Sequence, residues 1–171
     1  VSSNKLENMS KASLKKTLAR MDADQLRHLI IEAYEARKET REYLEYWLEP
    51  DSKTLAEKFR KDIRAVFFSG KEKPKAKAHP RLSEANKLIR DFRAMCYDSE
   101  IVADMLIFLA ETEADWLSYK YYRRSWYPSL MRYRQEAEKY VETAGLEALY
   151  SERLHRLEKN INTLYRHIYI G

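Results

Sequence analysis

The sequence predicts an all-α fold, and three observations carry that expectation. Its 171 residues include only three glycines and four prolines, the residues least compatible with a helix interior. Apolar side chains recur at intervals of three and four along nearly the whole chain, the spacing that gathers one face of a helix. Cap-forming residues stand at the starts of these runs, and Pro50 and Gly145 stand where two of them end. About seven helices in antiparallel hairpins are expected, a single-domain helical bundle over residues 9–171. Residues 1–8 are read as a disordered or extraneous leader, because Met9-Ser10-Lys11 makes a natural start just ahead of the first helical periodicity.

A short first helix fits 11–20, with Ser10 as N-cap and Leu14 and Leu18 one turn apart. Asp22 and Gln25 then have capping-box spacing, and Met21 and Leu26 occupy the positions of a hydrophobic staple. The second helix is expected to run unbroken to Leu48 on the stripe Leu26, Leu29, Ile30, Ala33, Ala36, Thr40, Tyr43, Leu44 and Trp47. Pro50 stops it by disfavouring helical geometry at Glu49. A third helix, 53–67, follows an Asp51 or Ser52 cap and turns Leu55, Phe59 and Ile63 to one side, and Ser69-Gly70 closes it. The fourth, about 81–95, carries Leu82, Ala85, Ile89 and Phe92.

Asp98 or Ser99 caps a fifth helix in which nearly every residue from Ile101 to Leu109 is apolar, so it is expected at the centre. Pro128 suits the first position of a sixth. Gly145 suits the left-handed position that ends it, with Val141 and Leu146 placed for the contact of a Schellman ending. The seventh carries Tyr150, Leu154, Leu157, Ile161, Leu164 and Ile168 at spacings of 4, 3, 4, 3 and 4, a heptad seam short enough to favour packing inside a bundle.

Composition bounds the function classes. Cys96 is the lone cysteine, so no disulfide framework is encoded, and a reducing, cytoplasmic location is expected. The most apolar run, 101–110, contains Asp104 and is about half the ~20 residues of a membrane span, so no membrane partner is expected. A net charge of +5 permits polyanion binding without requiring it. Three glycines cannot build a phosphate-cradling loop, and no hydrolase or kinase signature is present. No cofactor is implied.

Charge position says more than charge total. Residues 116–134 hold seven aromatic and five basic side chains and no acid, while 94–115 hold six carboxylates and no Lys or Arg. If the fifth helix continued through 126, Trp116, Tyr119, Tyr122 and Trp126 would share an arc of about 120°, with Arg123 inside it. Either the helix breaks near Ser118 or Ser125, or Arg123 is paired. These four rings could stack on the bases of a single strand, with Lys120, Arg123, Arg124, Arg132 and Arg134 on its phosphates. Lys71, Lys73, Lys75, Lys77 and Arg81 form a second basic patch against Glu72 alone. The competing reading, which takes precedence, is that the tyrosines line helix contacts with their hydroxyls in water.

The acids Glu100, Asp104, Glu111 and Asp115 keep to one side of the fifth helix. Glu152-x-x-His155 reproduces half of a di-metal ligand motif, but no second Glu-x-x-His exists, so no metal is expected. Pairing of these acids with Arg123, Arg124 and the 71–81 loop, an internal clasp, is the stronger expectation. Cys96 follows Met95 on an apolar face without a neighbouring base, and is read as a buried thiol rather than a nucleophile.

Met9 to Lys16, Lys73 to Ala76 before a helix, and Ile101 to Asp104 opening an apolar helix that runs to Glu111-Thr112, resemble a bacterial family of small helical domains of unknown function. The resemblance covers roughly 9–112 and implies a helical fold and a bacterial origin, with no activity attached. The sequence points to an interaction module that takes a protein partner or a second copy. Its alternative is nucleic-acid binding through 71–81 and 116–134.

Overall fold

In the computed structural model, which describes residues 9–74, 79–119 and 124–169, eight α-helices and one 3-10 turn follow one another, with no strand among the described residues. The chain divides into two compact units, Val1–Pro50 and Asp51–Gly171. No helix among the described residues is long and apolar enough to cross a membrane.

The first unit holds α1 (Lys11–Leu18), α2 (Ala23–Ala36) and α3 (Lys38–Leu48). Ser10 caps α1 by accepting the Ser13 N–H at 3.1 Å. At α2 the capping box is complete: the Gln25 N–H donates to Asp22 Oδ1 at 2.8 Å and the Asp22 N–H donates to Gln25 Oε1 at 3.1 Å. The single helix expected over 22–48 is instead two, because Arg37 takes extended torsions, φ −141° and ψ 128°. A side-chain contact accounts for the bend. The Tyr34 hydroxyl donates to Glu45 Oε1 at 2.7 Å. Eleven residues of straight helix would hold those groups about 16 Å apart. Arg41 also lies over the Tyr34 ring, 5.1 Å from its centroid.

The second unit holds α4 (Ser52–Phe68), α5 (Leu82–Met95), α6 (Ser99–Ser118), the 3-10 turn Arg124–Trp126, α7 (Tyr127–Thr143) and α8 (Glu147–Tyr169). Asp51 caps α4 through the Thr54 N–H at 3.0 Å, and Asp98 caps α6 through the N–H groups of Glu100 and Ile101. Helix α6 is the centre, as its composition predicts: α4, α5, α7 and α8 all pack on it, and twelve of its twenty residues are buried. Ile63, Phe67, Phe68 and Phe92 close the core around it, with the Phe59 and Phe92 rings edge to face at 5.3 Å. Each such side chain contributes about 1.5–3 kcal/mol by leaving water. The seam of α8 faces inward, with Leu157, Ile161 and Leu164 buried. Cys96 is a buried free thiol.

The α7–α8 junction is a complete Schellman ending. Gly145 sits at φ 68°, the Leu146 N–H reaches the Val141 carbonyl at 2.9 Å, and the Gly145 N–H reaches that of Glu142 at 3.1 Å. Tyr127, Tyr165 and Tyr169 form a ring cluster between α7 and α8, with centroids 4.6–5.9 Å apart. That is the role of helix-lining tyrosines expected from the sequence.

Candidate functional site

Charge and aromatic residues concentrate along α6 and at the start of α7. The acidic side of α6 is taken up by arginines from the helices that flank it. Asp104 accepts from Arg60 on α4 and from Arg153 Nη1 on α8, the latter at 2.5 Å. Arg153 also forks onto Glu111, Nε to Oε1 at 2.9 Å and Nη2 to Oε2 at 2.6 Å, and Asp115 faces Arg64 at 3.6 Å. The internal clasp is therefore present, but its cations are Arg60, Arg64 and Arg153 rather than Arg124 or the 71–81 loop, because α4 and α8 are the neighbours of that side. A cavity of about 340 Å³ beside it is lined by Glu111, Asp115, Asn160 and His167 among others, and both carboxylates are already paired. Among the described residues no three His, Cys, Asp or Glu side chains converge on a metal position, and His155 faces Glu158 at 3.6 Å.

The aromatic segment is not one helical arc. Helix α6 stops at Ser118, and the chain re-enters structure at Arg124. Trp116 is fully buried against Trp126, with centroids 4.9 Å apart, so this proposed stacking residue belongs to the core and offers no face to a base. Tyr119 is 45% exposed and meets Phe68 edge-on at 6.3 Å. Trp126 is half-buried and stacks with His79 at 6.5 Å. Lys75, Lys77, Lys120, Tyr122 and Arg123 lie outside the described residues.

The remaining cations divide by their surroundings. Lys71 and Lys73 are exposed. Arg81 is exposed and pairs with Glu84 at 2.7 Å. Arg134 is tied to Glu138 at 2.8 Å and to Glu158 at 3.1 Å, and its side chain is only 17% exposed, so it serves α7–α8 packing rather than a phosphate. Arg132 is exposed over the Tyr133 ring, 5.1 Å from its centroid, with no ion-paired carboxylate among the described residues. The His79–Trp126 contact joins the end of the basic loop to the 3-10 turn, so the two basic segments of the sequence meet there.

Behind that junction lies a group the sequence reading passed over. Glu113 is fully buried on α6. Its Oε1 stands 2.5 Å from Ser129 Oγ, and its Oε2 has no hydrogen-bond partner. Burial pushes its pKa up to about 7, against the opposing pull of the Ser129 hydrogen bond and the Arg132 charge. Tyr133 donates to Asn86 Oδ1 at 2.9 Å, and burial together with Glu113 pushes its own pKa up to about 12. A signal was available: at 100° per residue Glu113 lies about 180° around α6 from Asp104, in the middle of the apolar side. In front of it opens a cleft of about 600 Å³ lined by Leu82, Ser125, Trp126, Pro128, Ser129 and Arg132.

The first unit offers a different surface. Leu29, Ile30, Ile31, Tyr43, Trp47 and Leu48 on α2 and α3 are all exposed, Trp47 at 59% and Leu48 at 70%, and Tyr46 is the unit's one buried residue among those described.

No curated protein and no solved structure is significantly similar to this chain. One family model does match, over residues 9–166, and so spans both units and the clasp, cleft and helix pair described above. The chain thus belongs to the Family of unknown function (DUF6155).

Proposed function

We propose that the protein is an interaction module whose α2–α3 helix pair takes a basic amphipathic helix of a partner protein. The observation that carries this reading is the exposed apolar set Leu29, Ile30, Ile31, Tyr43, Trp47 and Leu48, concentrated on two short helices. Apolar surface gathered in this way marks an interaction site, and an amphipathic helix is the usual occupant of such a surface. Charge selects the partner. Residues 22–49 carry eight carboxylates against four Lys or Arg, a balance that favours a cationic helix and sets two copies of this segment against each other. The test is titration of a fluorescent Leu/Lys amphipathic peptide beside its Leu/Glu counterpart, with Ile30→Ser/Trp47→Ser as the altered protein. Micromolar binding of the Leu/Lys peptide, weakened at least about tenfold in the variant, supports the reading. Equal binding by the variant, or none by the Leu/Lys peptide, removes it.

A second reading, nucleic-acid binding through 71–81 and 116–134, is supported by the His79–Trp126 stack that brings the two segments together. It predicts oligonucleotide binding that weakens between about 50 and 200 mM salt and loses that slope when Lys75, Lys77, Arg123 and Arg124 are neutralised. Unchanged affinity in that variant sinks it.

A further inference from the structure

We infer that the cleft between the start of α5 and the start of α7 binds a small oxyanion, a phosphate or carboxylate, carried on a planar ring. The site is independent of the α2–α3 docking surface. Its volume, about 600 Å³, falls in the range of small-molecule sites and would hold one ring and its anionic group.

The lining divides by chemistry. Leu82, Trp126 and Pro128 supply apolar and aromatic wall, and Ser125, Ser129 and Arg132 supply donors. Such a division suits a ligand with one flat apolar part and one charged part. The charge must be negative. Arg60, Arg64, Arg134 and Arg153 each meet a carboxylate, whereas Arg132 rests on the face of Tyr133 with no ion-paired acid among the described residues. Its guanidinium fork is thus free to take two oxygens of a phosphate or carboxylate.

Glu113 is the one acid behind this wall, and it does not oppose an anion while its carboxyl keeps its proton. The groups around it are Ser129, Arg132 and Tyr133 on α7, with Asn86 of α5 on the Tyr133 hydroxyl. A protonated Glu113 donates to Ser129 Oγ, which leaves the Ser129 hydrogen for the Trp126 carbonyl, 2.7 Å away, or for a ligand oxygen in the cleft. Trp126 is half-buried and provides the stacking wall, with His79 on its ring. The function of the aromatic-basic segment then rests on Trp126 and Arg132, two of the residues its sequence singled out, rather than on an extended track.

The test uses the whole chain and four probes: adenosine monophosphate, indole-3-acetate, adenosine and inorganic phosphate, followed by calorimetry and tryptophan fluorescence. Saturable binding of one ring-borne anion is expected, with the neutral ring and the bare phosphate each at least about tenfold weaker. Preference between the first two probes tells phosphate from carboxylate. Arg132→Gln should weaken that binding about tenfold or more and leave the melting temperature unchanged, since the side chain is exposed. Ser125→Ala, also exposed, should give a smaller loss. Absence of saturable binding for both ring-borne anions, or an Arg132→Gln variant that binds as well as the parent, overturns the proposal. So does a single-stranded oligonucleotide that binds at the cleft while neither small probe competes with it, which would assign the surface to nucleic acid.

Discussion

Ser129 Oγ stands 2.5 Å from Glu113 Oε1 and 2.7 Å from the Trp126 carbonyl oxygen, so one hydroxyl hydrogen faces two acceptors. A protonated Glu113 resolves the conflict, because it donates to Ser129 and frees the Ser129 hydrogen for Trp126. The proton on Glu113 is therefore part of the α6–α7 packing.

Stability should fall as pH rises. Glu113 moves from an ordinary 4.5 to about 7 on folding, so between those values the folded chain holds a proton that the unfolded chain has released. Its contribution is complete below pH 4.5, is lost as pH climbs through 7, and amounts to about 3 kcal/mol. Glu113→Gln keeps the shape and a donor for Ser129. Denaturant unfolding at pH 5 and pH 8 should show the parent losing about 3 kcal/mol more than the variant across that window.

Arg153 joins Asp104 and Glu111, and its side chain is 23% exposed. Arg153→Met should cost about 2 kcal/mol, less than a fully buried pair because water screens the network and Arg60 still faces Asp104. A double-mutant cycle with Glu111→Gln should recover part of that loss, and strict additivity of the two changes would count against the clasp.

Gly145 at φ 68° has no atom within 4 Å of the place a Cβ would occupy. Gly145→Ala should therefore cost only the left-handed backbone penalty, about 1 kcal/mol, and Gly145→Asn less. A loss of about 3 kcal/mol or more in thermal unfolding would mean that crowding, not torsion, fixes the glycine.

Ile30→Ser/Trp47→Ser should change stability by less than about 0.5 kcal/mol, since both side chains already face water. Phe92→Ala, at 0% exposure, should cost about 3–5 kcal/mol by opening a cavity in the second unit. Comparable losses from the two variants would show that α2 and α3 need those apolar residues for their own folding.

What the sequence made legible is what depends on near neighbours. The Asp22–Gln25 box, the Asp51 and Asp98 caps and the Gly145 ending each involve residues within six positions, and each formed as read. The acidic side of α6 was equally legible, but its partners Arg60 and Arg153 lie 44 and 49 residues from Asp104, and helical periodicity carries no information about which helices become neighbours. Trp116 was assigned to a stacking surface because the arc of aromatics was extended past Ser118, where α6 ends. The break at Arg37 escaped notice because neither Gly nor Pro marks it. It is held by the Tyr34–Glu45 contact, which spacing alone cannot show.

That break has a further meaning for the encoding of the chain. Intervals of three and four run on across Arg37, from Ala33 through Ala36, Thr40 and Tyr43 to Trp47, as though no interruption existed. Extended torsions at one arginine separate the bent pair from a rod over 23–48 of about 39 Å. One amphipathic pattern thus spells two shapes, a corner and a ruler, and the Tyr34–Glu45 hydrogen bond is the clause that selects the corner.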